Sequence, residues 1–263
     1  LAFFGESPPG MTVLNESYNG SSWTELADGN TARKGLTGAG TTTSALAVGG
    51  NAASADDDTG KTESWNGSAW TEVGDLSTQR REHGGCGDSN TAALAFGGQA
   101  EPGSLTGDTE LWNGSAWTEL NNLNLNRQQM AKGGGSQTST LCAGGFTTPP
   151  GSNRKDETES WNGTSWTEVA DLNESRYRLS GAGADNESFM VFSGDSPPGS
   201  ATAKTELWNG TSWTETTDLN ATQSAGSGSG TTSNALSFGG DSPRTATEEW
   251  TSPTPTTVSF TVS

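Results

Sequence analysis

The sequence predicts an all-β protein in which a four-stranded unit repeats around an axis as a β-propeller. Three observations lead to this prediction. Tryptophans recur with a nearly constant period, an Asn-Gly turn stands at the same place in each period, and no segment has helical periodicity. A period of ~40–50 residues with four short strands is typical of a propeller blade, because so small a unit buries its faces only against neighbouring sheets.

The composition of the 263-residue chain is unusual for a globular protein. Only 29% of its residues are hydrophobic, against about 45–50% in average domains, and 37 residues are glycine. The net charge of −18 opposes binding to nucleic acid, and no apolar run has the ~18 residues of a membrane helix. We therefore expect neither a nucleic-acid partner nor membrane insertion. The sequence opens on Leu1 rather than Met and has no leader, which indicates a processed or partial product.

Aromatic and charged residues at fixed positions define the repeat. The motif Trp-Thr-Glu recurs every 47 to 49 residues, and another aromatic stands five positions before each of its tryptophans. An arginine follows the tryptophan of the motif by ten positions in four of five copies, with a glutamine in the fifth. We assign the following residues to the structural framework of the repeat: Trp23, Trp65, Trp70, Trp112, Trp117, Trp161, Trp166, Trp208, Trp213, Arg33, Arg80, Arg127 and Arg176.

The strands of one repeat follow a fixed order. In the second repeat, Gly35–Gly40 predicts a glycine-rich first strand, Ala45–Gly49 an apolar second strand, Thr62–Trp65 a third and Trp70–Val73 a fourth. The Asn66-Gly67 turn between the last two is a strong hairpin signal, because both residues accept positive φ. Glycine in the first strand fits a position at a crowded axis, so we attribute the glycine excess to packing.

The number of strands favours six blades, with five as the alternative. Six second strands and six third strands are predicted, but only five first strands and five tryptophan-bearing fourth strands. The first blade is thus incomplete at its N-terminus. Residues 1–251 are assigned to the propeller, and residues 252–263 to a C-terminal connector. Within that connector, Val258–Val262 alternates as a ring-closing strand would.

The order of these residues resembles the kelch repeat. Arg33 is followed by a Gly-X-Gly strand, Gly49-Gly50, Trp65-Asn66 and Trp70, which is the kelch order of basic residue, small strand, double glycine, aromatic–polar pair and tryptophan. The sequence departs from kelch repeats in having Trp-Asn where they usually have Tyr-Asp. The style of the repeat also resembles arrays in virion and tail-associated proteins of marine bacteriophages, and this resemblance implies a virion or extracellular location.

The sequence predicts no enzyme, no cofactor and no metal site. His83 is the only histidine, so the two-histidine, two-tyrosine ligand set of kelch-like copper radical oxidases cannot be formed. Cys86 and Cys142 replace small residues of the repeat and are expected to be buried, not to ligate metal or form a disulfide. The run Asp56–Asp58 lacks the interleaved spacing of a calcium loop, so we interpret it as a solvated acidic loop.

The loops of the two predicted faces differ in how much they vary between repeats. The Asn-Gly hairpins on one face are almost unchanged, whereas the loops after the double glycines vary in length and sequence. Binding residues commonly lie in loops on a rigid scaffold, although unconstrained drift would also explain the variation. The candidate partner-binding residues are Glu6, Asp56, Asp57, Asp58, Glu101, Arg154, Lys155, Asp195 and Asp241.

These observations predict a non-enzymatic structural or interaction module of a virion or extracellular assembly, such as a tail, fibre or decoration protein. Its partners would be other subunits of the assembly, or a glycan or protein on a host surface, and it could form oligomers. The alternative is a carbohydrate-binding, lectin-like propeller whose aromatic side chains stack on sugars. The fixed strand positions of the tryptophans favour a core role and argue against that alternative.

Overall fold

The described part of the chain is all-β, as the sequence predicts. The structure, a computed structural model, describes residues 1–7, 10–52, 57–131, 133–147, 153–241 and 247–252. Within these ranges the strands form six antiparallel sheets of three or four strands, together with three small sheets in the loops. The same ranges contain no helix that could cross a membrane.

The six main sheets follow one another along the chain and are numbered in that order. Sheet 1 consists of Ala2–Phe3, Asn15–Tyr18 and Trp23–Glu25; sheet 2 of Thr37–Thr41, Ser44–Val48, Thr62–Trp65 and Trp70–Glu72; sheet 3 of Gly84–Ser89, Ala92–Phe96, Thr109–Trp112 and Trp117–Glu119. Sheet 4 consists of Thr140–Ala143, Thr158–Trp161 and Trp166–Val169; sheet 5 of Ser180–Gly183, Phe189–Phe192, Thr205–Trp208 and Trp213–Glu215; sheet 6 of Ser227–Gly230, Asn234–Phe238 and Thr247–Thr251.

Short strands also form in the loops between these sheets. They pair Glu6–Ser7 with Gly10–Met11, Gln99–Ala100 with both Arg80–Arg81 and Ser104–Leu105, and Asp195–Ser196 with Ser200–Ala201. Three of the variable loops are therefore built as small hairpins.

The predicted strand boundaries in the second repeat are correct to within two residues. The third strand, Thr62–Trp65, has the predicted bounds, and the fourth ends at Glu72 rather than Val73. Gly49 and Gly50 follow the second strand instead of ending it, with φ of 63° and 104°. This left-handed backbone favours glycine and turns the chain out of the sheet.

The prediction of five first strands is wrong by one. Sheets 2, 3, 5 and 6 have a first strand, but the described residues before Thr140 in sheet 4 do not form one. Gly133, Gly134 and Gly135 have φ of 91°, 86° and 83°, which is incompatible with a β-ladder. The N–H of Gly135 donates instead to the carbonyl of Gly183 in sheet 5, at 2.9 Å. The predicted closing strand Val258–Val262 lies outside the described residues.

Glycine is required where first strands of successive sheets meet. A Cβ at Gly228 in sheet 6 would meet the carbonyl oxygen of Gly181 in sheet 5. A Cβ at Gly133 would lie 2.5 Å from the carbonyl oxygen of Gly228 and 2.7 Å from that of Gly181. Because backbone atoms cannot move aside as a flexible side chain can, these positions exclude larger residues.

A chain of backbone hydrogen bonds links successive repeats. The second residue after each framework Arg, or after Gln223, has a left-handed φ: 65° at Gly35, 53° at Glu82, 56° at Gln129, 56° at Arg178 and 58° at Ala225. Each N–H donates to the carbonyl of its counterpart one repeat earlier: Glu82 to Gly35 at 2.6 Å, Gln129 to Glu82 at 2.9 Å, Arg178 to Gln129 at 2.7 Å and Ala225 to Arg178 at 3.1 Å. Consecutive repeats are therefore related by nearly the same displacement.

The tryptophan of each fourth strand packs against the preceding sheet. Trp117, for example, lies in a buried cluster with Leu46, Val48 and Leu76 of sheet 2 and with Trp112 of its own sheet. Four indoles donate through Nε1 to the Oγ1 of a threonine that begins a third strand: Trp117 to Thr62 at 3.1 Å, Trp166 to Thr109 at 2.9 Å, Trp213 to Thr158 at 3.2 Å and Trp23 to Thr247 at 3.1 Å.

The last of these contacts brings the two ends of the described chain together. Trp23 belongs to sheet 1 and Thr247 to sheet 6, and the Trp23 ring also lies 5.5 Å from the ring of Phe238 in sheet 6. Sheet 6 therefore packs against sheet 1 by the same tryptophan–threonine contact that joins sheets 2 to 5 in succession.

A buried ion pair fixes four of the five connectors to the sheet that follows. The guanidinium of the framework arginine contacts a third-strand glutamate: Arg33 with Glu63 at 3.0 Å, Arg80 with Glu110 at 3.1 Å, Arg127 with Glu159 at 3.0 Å and Arg176 with Glu206 at 2.6 Å. The side chains in these pairs are at most 3% exposed. Burial lowers the pKa of Arg80 from its usual value, and the carboxylate of Glu110 opposes that shift.

We predict that Arg127→Met destabilises the fold strongly. The substitution leaves the carboxylate of Glu159 buried without its cation and removes the donor to the carbonyl of Gly144. Removing one partner of a buried ion pair lowers the unfolding free energy by about 3–5 kcal/mol. We expect a loss of this size for Arg127→Met, measured by urea denaturation. Arg178→Met is the matched control, since the side chain of Arg178 is 38% exposed. An equal effect of the two substitutions would contradict the structural role of the buried pair.

Candidate interaction surface

The predicted loop residues differ in exposure. Glu6, Asp57 and Glu101 are exposed, and Glu6 pairs with Lys34 at 3.1 Å. Lys155 is half-buried and pairs with Glu157 at 3.1 Å. Asp56 lies outside the described residues. These residues lie in separate loops, and the structure does not unite them in one site.

Asp58 does not fit the expected solvated acidic loop. It is 4% exposed and contacts the guanidinium of Arg81 at 2.7 Å. The side-chain amide of Asn51 donates to the same carboxylate at 3.4 Å. A buried carboxylate needs such partners, so Asp58 holds the loop in place rather than presenting a charge to solvent.

Three predicted residues do come together, around a side chain that the sequence analysis did not select. The guanidinium carbon of Arg154 lies 5.3 Å from the ring centroid of Tyr177. The guanidinium carbon of Arg178 lies 5.6 Å from the same ring centroid. Arg178 also forms ion pairs with Asp241 at 3.2 Å and with Asp195 at 3.9 Å. The ring of Phe146 lies 5.4 Å from that of Tyr177. We define the Tyr177 cluster as Phe146, Arg154, Tyr177, Arg178, Asp195 and Asp241.

Backbone pairing positions the Tyr177 cluster. Tyr177 and Asp195 form an antiparallel bridge, as do Phe146 and Arg154. Arg178 takes the left-handed conformation that recurs in every connector, which directs its backbone N–H to the previous repeat. The cluster therefore belongs to the rigid part of the variable loops.

The composition of the Tyr177 cluster suits recognition of a partner. Phe146, Arg154, Tyr177 and Arg178 are half-buried, so each side chain keeps part of its surface accessible. Asp195 is only 8% exposed, and Asp241 lies at the edge of the cluster with its side chain 60% exposed. Tyrosine and arginine are enriched among residues that carry binding energy, and a guanidinium can bind a carboxylate through two parallel hydrogen bonds.

The sequence contains a signal for this cluster in the residue that follows each framework residue. The residue directly after the framework Arg or Gln differs in every repeat: Lys34, Arg81, Gln128, Tyr177 and Ser224. The preceding residue is buried and almost constant, so the next position lies on a fixed backbone. Lys34, Arg81 and Tyr177 are half-buried at this position, whereas Gln128 and Ser224 are buried. Comparing repeats at this position would have selected Tyr177.

A second surface feature is a cleft of about 380 Å³ between sheets 1 and 6. Tyr18, Trp23, Phe238 and Trp250 line it together with Glu249, and these four aromatic side chains are only half-buried. Partial desolvation and a hydrogen bond with Glu249 raise the pKa of Tyr18. We call this feature the junction cleft.

The residues considered for catalysis or metal binding are internal. His83 is fully buried, and its ring nitrogens lie 3.1 Å from the carbonyl oxygens of Gly84 and Val48. Cys86 and Cys142 are buried free thiols. Over the described ranges, no three His, Cys, Asp or Glu side chains are grouped so that they could hold a metal ion.

No protein-family model matches the chain, and no curated protein is similar enough in sequence to be counted as related.

We predict that both thiols are unreactive in the folded protein. Burial raises the pKa of Cys86 and of Cys142 from 9.0 to about 12, so the nucleophilic thiolate is scarce at pH 8. A disulfide reagent such as Ellman's should modify neither thiol until denaturant is added, whereas Ser68→Cys, in an exposed turn, should react at once. Because the raised pKa favours the protonated folded state, the unfolding free energy should fall as the pH rises above 9. Fast modification of either native cysteine would contradict this burial.

Proposed function

We propose that the six sheets are the blades of a kelch-like β-propeller, and that the protein is a non-enzymatic interaction module of a virion or extracellular assembly. In this proposal the propeller is a rigid scaffold, and its variable loops contact a neighbouring subunit or a host surface.

Two sets of contacts support the ring of six blades. The backbone chain from Gly35 to Ala225 relates five connectors by one repeated displacement. The contact of Trp23 with Thr247 then joins the last sheet to the first. In a propeller, each blade is related to the next in a similar way and the last blade contacts the first. In an open array, the terminal sheets would lie apart.

The observation that carries the interaction role is the Tyr177 cluster. In a chain with a net charge of −18, it places the guanidinium groups of Arg154 and Arg178 beside the same aromatic ring. Arg178 is already paired with the two aspartates of the cluster, whereas Arg154 forms no ion pair among the described residues. The charge of Arg154 therefore favours a partner segment that offers a carboxylate, and the rings of Tyr177 and Phe146 add apolar area at low conformational cost. The acidic remainder of the surface would repel such a segment and so restrict binding to this region.

We predict that selection from a random peptide display library yields ligands enriched in Asp and Glu that bind the Tyr177 cluster. Because the aromatic ring and the cation act together, Tyr177→Ala and Arg154→Ala should each weaken binding by about tenfold or more, measured by calorimetry. Glu101→Ala, in a neighbouring exposed loop, is the matched control and should change the affinity little. Ligands without acidic enrichment, or binding that survives Tyr177→Ala, would refute the assignment of this surface.

A carbohydrate-binding propeller is the second candidate, and the junction cleft favours it. Half-buried aromatic rings next to a carboxylate are a suitable surface for stacking and hydrogen bonding of a sugar. A glycan array separates the two functions. Saturable binding to a defined sugar that Tyr18→Ala abolishes would favour the lectin, and no binding would leave the interaction module.

A further inference from the structure

Between sheets 5 and 6, residues 1–252 of the described chain leave open the site that a fourth-strand tryptophan fills between other successive sheets. A slot between sheets 5 and 6 is lined by Met190, Phe192, Thr205, Leu219, Ala235, Ser237, Glu248 and Trp250. One by one these correspond to Leu46, Val48, Thr62, Leu76, Ala93, Ala95, Glu110 and Trp112, the residues at the same repeat positions around Trp117. The slot is therefore the position of a fourth-strand tryptophan that residues 1–252 do not supply.

Thr205 has the hydrogen-bonding defect that such a vacancy predicts. Its counterparts Thr62, Thr109, Thr158 and Thr247 each accept a hydrogen bond from an indole. Thr205 is 1% exposed, and its Oγ1 has no hydrogen-bond partner. A buried hydroxyl without a partner is costly, and an indole N–H placed in the slot would satisfy it.

Among the described residues, no strand at the edge of sheet 6 carries this indole. In the other five sheets the third strand pairs with a Trp-Thr-Glu strand, whereas Thr247–Thr251 pairs only with Asn234–Phe238 within the described chain. Asn220 shows the same lack. Its counterparts Asn30, Asn124 and Asn173 each donate to a glutamate and to the backbone carbonyl of a fourth-strand tryptophan, but Asn220 donates only to Glu248.

We propose that the free edge of sheet 6 binds an extended segment of another polypeptide chain that carries a Trp-Thr-Glu sequence. The segment would pair with Thr247–Thr251, place its indole in the slot, and donate from Nε1 to Oγ1 of Thr205. Addition of a strand to an open edge is a known mode of peptide recognition, in which the backbone gives affinity and a side-chain pocket gives specificity. The five Trp-Thr-Glu strands of this chain are all paired in their own sheets, and residues 253–263 contain no tryptophan.

This surface is separate from the Tyr177 cluster, and the inference does not depend on what that cluster binds. It rests on the repeated contacts between sheets, which hold whatever the function of the loops.

A labelled peptide with the sequence of residues 113–122, Asn-Gly-Ser-Ala-Trp-Thr-Glu-Leu-Asn-Asn, tests the proposal by fluorescence anisotropy against the full chain. Saturable binding is expected. Replacing the tryptophan of the peptide by alanine should weaken it about thirtyfold, as for a buried aromatic anchor. Replacing it by phenylalanine should cost less, because only the N–H is lost.

The matched protein variants are Thr205→Val and Thr158→Val. Thr205→Val removes the proposed acceptor and should weaken peptide binding about fivefold, the effect of one net hydrogen bond. Thr158→Val removes an acceptor already used by Trp213 and should leave the peptide affinity unchanged.

Two results would overturn the proposal. The first is that the full chain does not bind the peptide at millimolar concentration, or binds the alanine peptide equally well. The second is that binding occurs only after residues 253–263 are removed, since the edge would then be covered by this chain's own C-terminal segment and not by another chain.

Discussion

The structure depends on the insertion of one tryptophan per repeat between two successive sheets. Each sheet is too small to bury both of its faces, and the indole fills the space against the neighbouring sheet. In four of the five cases a threonine hydroxyl of that sheet accepts the indole N–H, whereas the N–H of Trp70 has no partner among the described residues. Most of the contact is apolar and buries hydrophobic surface. Its hydrogen bond is directional and fixes the orientation of one sheet on the next. Because the acceptor lies in the preceding repeat, every such contact is non-local, and the sheets stabilise one another rather than themselves. The same contact between Trp23 and Thr247 connects the two ends of the described chain.

Buried ion pairs supply the second constraint, and they determine where variation is tolerated. Arg127 and its counterparts fix the connectors from inside, where a charge is stable only with its partner and with carbonyl acceptors. The residues immediately after them occupy a fixed backbone position, and Lys34, Arg81 and Tyr177 keep part of their surface accessible there. This arrangement allows Tyr177 and Arg178 to differ from their counterparts in other repeats without a change in the sheets. The candidate interaction surface thus depends on the buried ion pairs that hold its backbone in place.

Periodicity was sufficient to predict the all-β class, the order of strands within a repeat and the burial of the eight tryptophans in sheets 2 to 5. It did not predict that Trp23 and Trp250 are only half-buried, because both lie at the cleft between sheets 1 and 6. It could not predict the conformation of Gly133–Gly135, because glycine is equally compatible with a strand and with the left-handed backbone that these residues adopt. Nor could it separate Asp58 from its exposed neighbour Asp57, since the partner of Asp58 is Arg81 of another repeat. The Tyr177 cluster draws its residues from four separate segments of the chain, and only the three-dimensional arrangement brings them together.

The most direct test of the proposed ring of sheets is a nuclear Overhauser effect between the indole N–H of Trp23 and the methyl group of Thr247. The account predicts a cross-peak of similar strength to that between Trp117 and Thr62, an equivalent pair within the array that serves as the internal standard. A cross-peak for Trp117 and Thr62 together with none for Trp23 and Thr247 would mean that the sheets form an open array, and would contradict the ring.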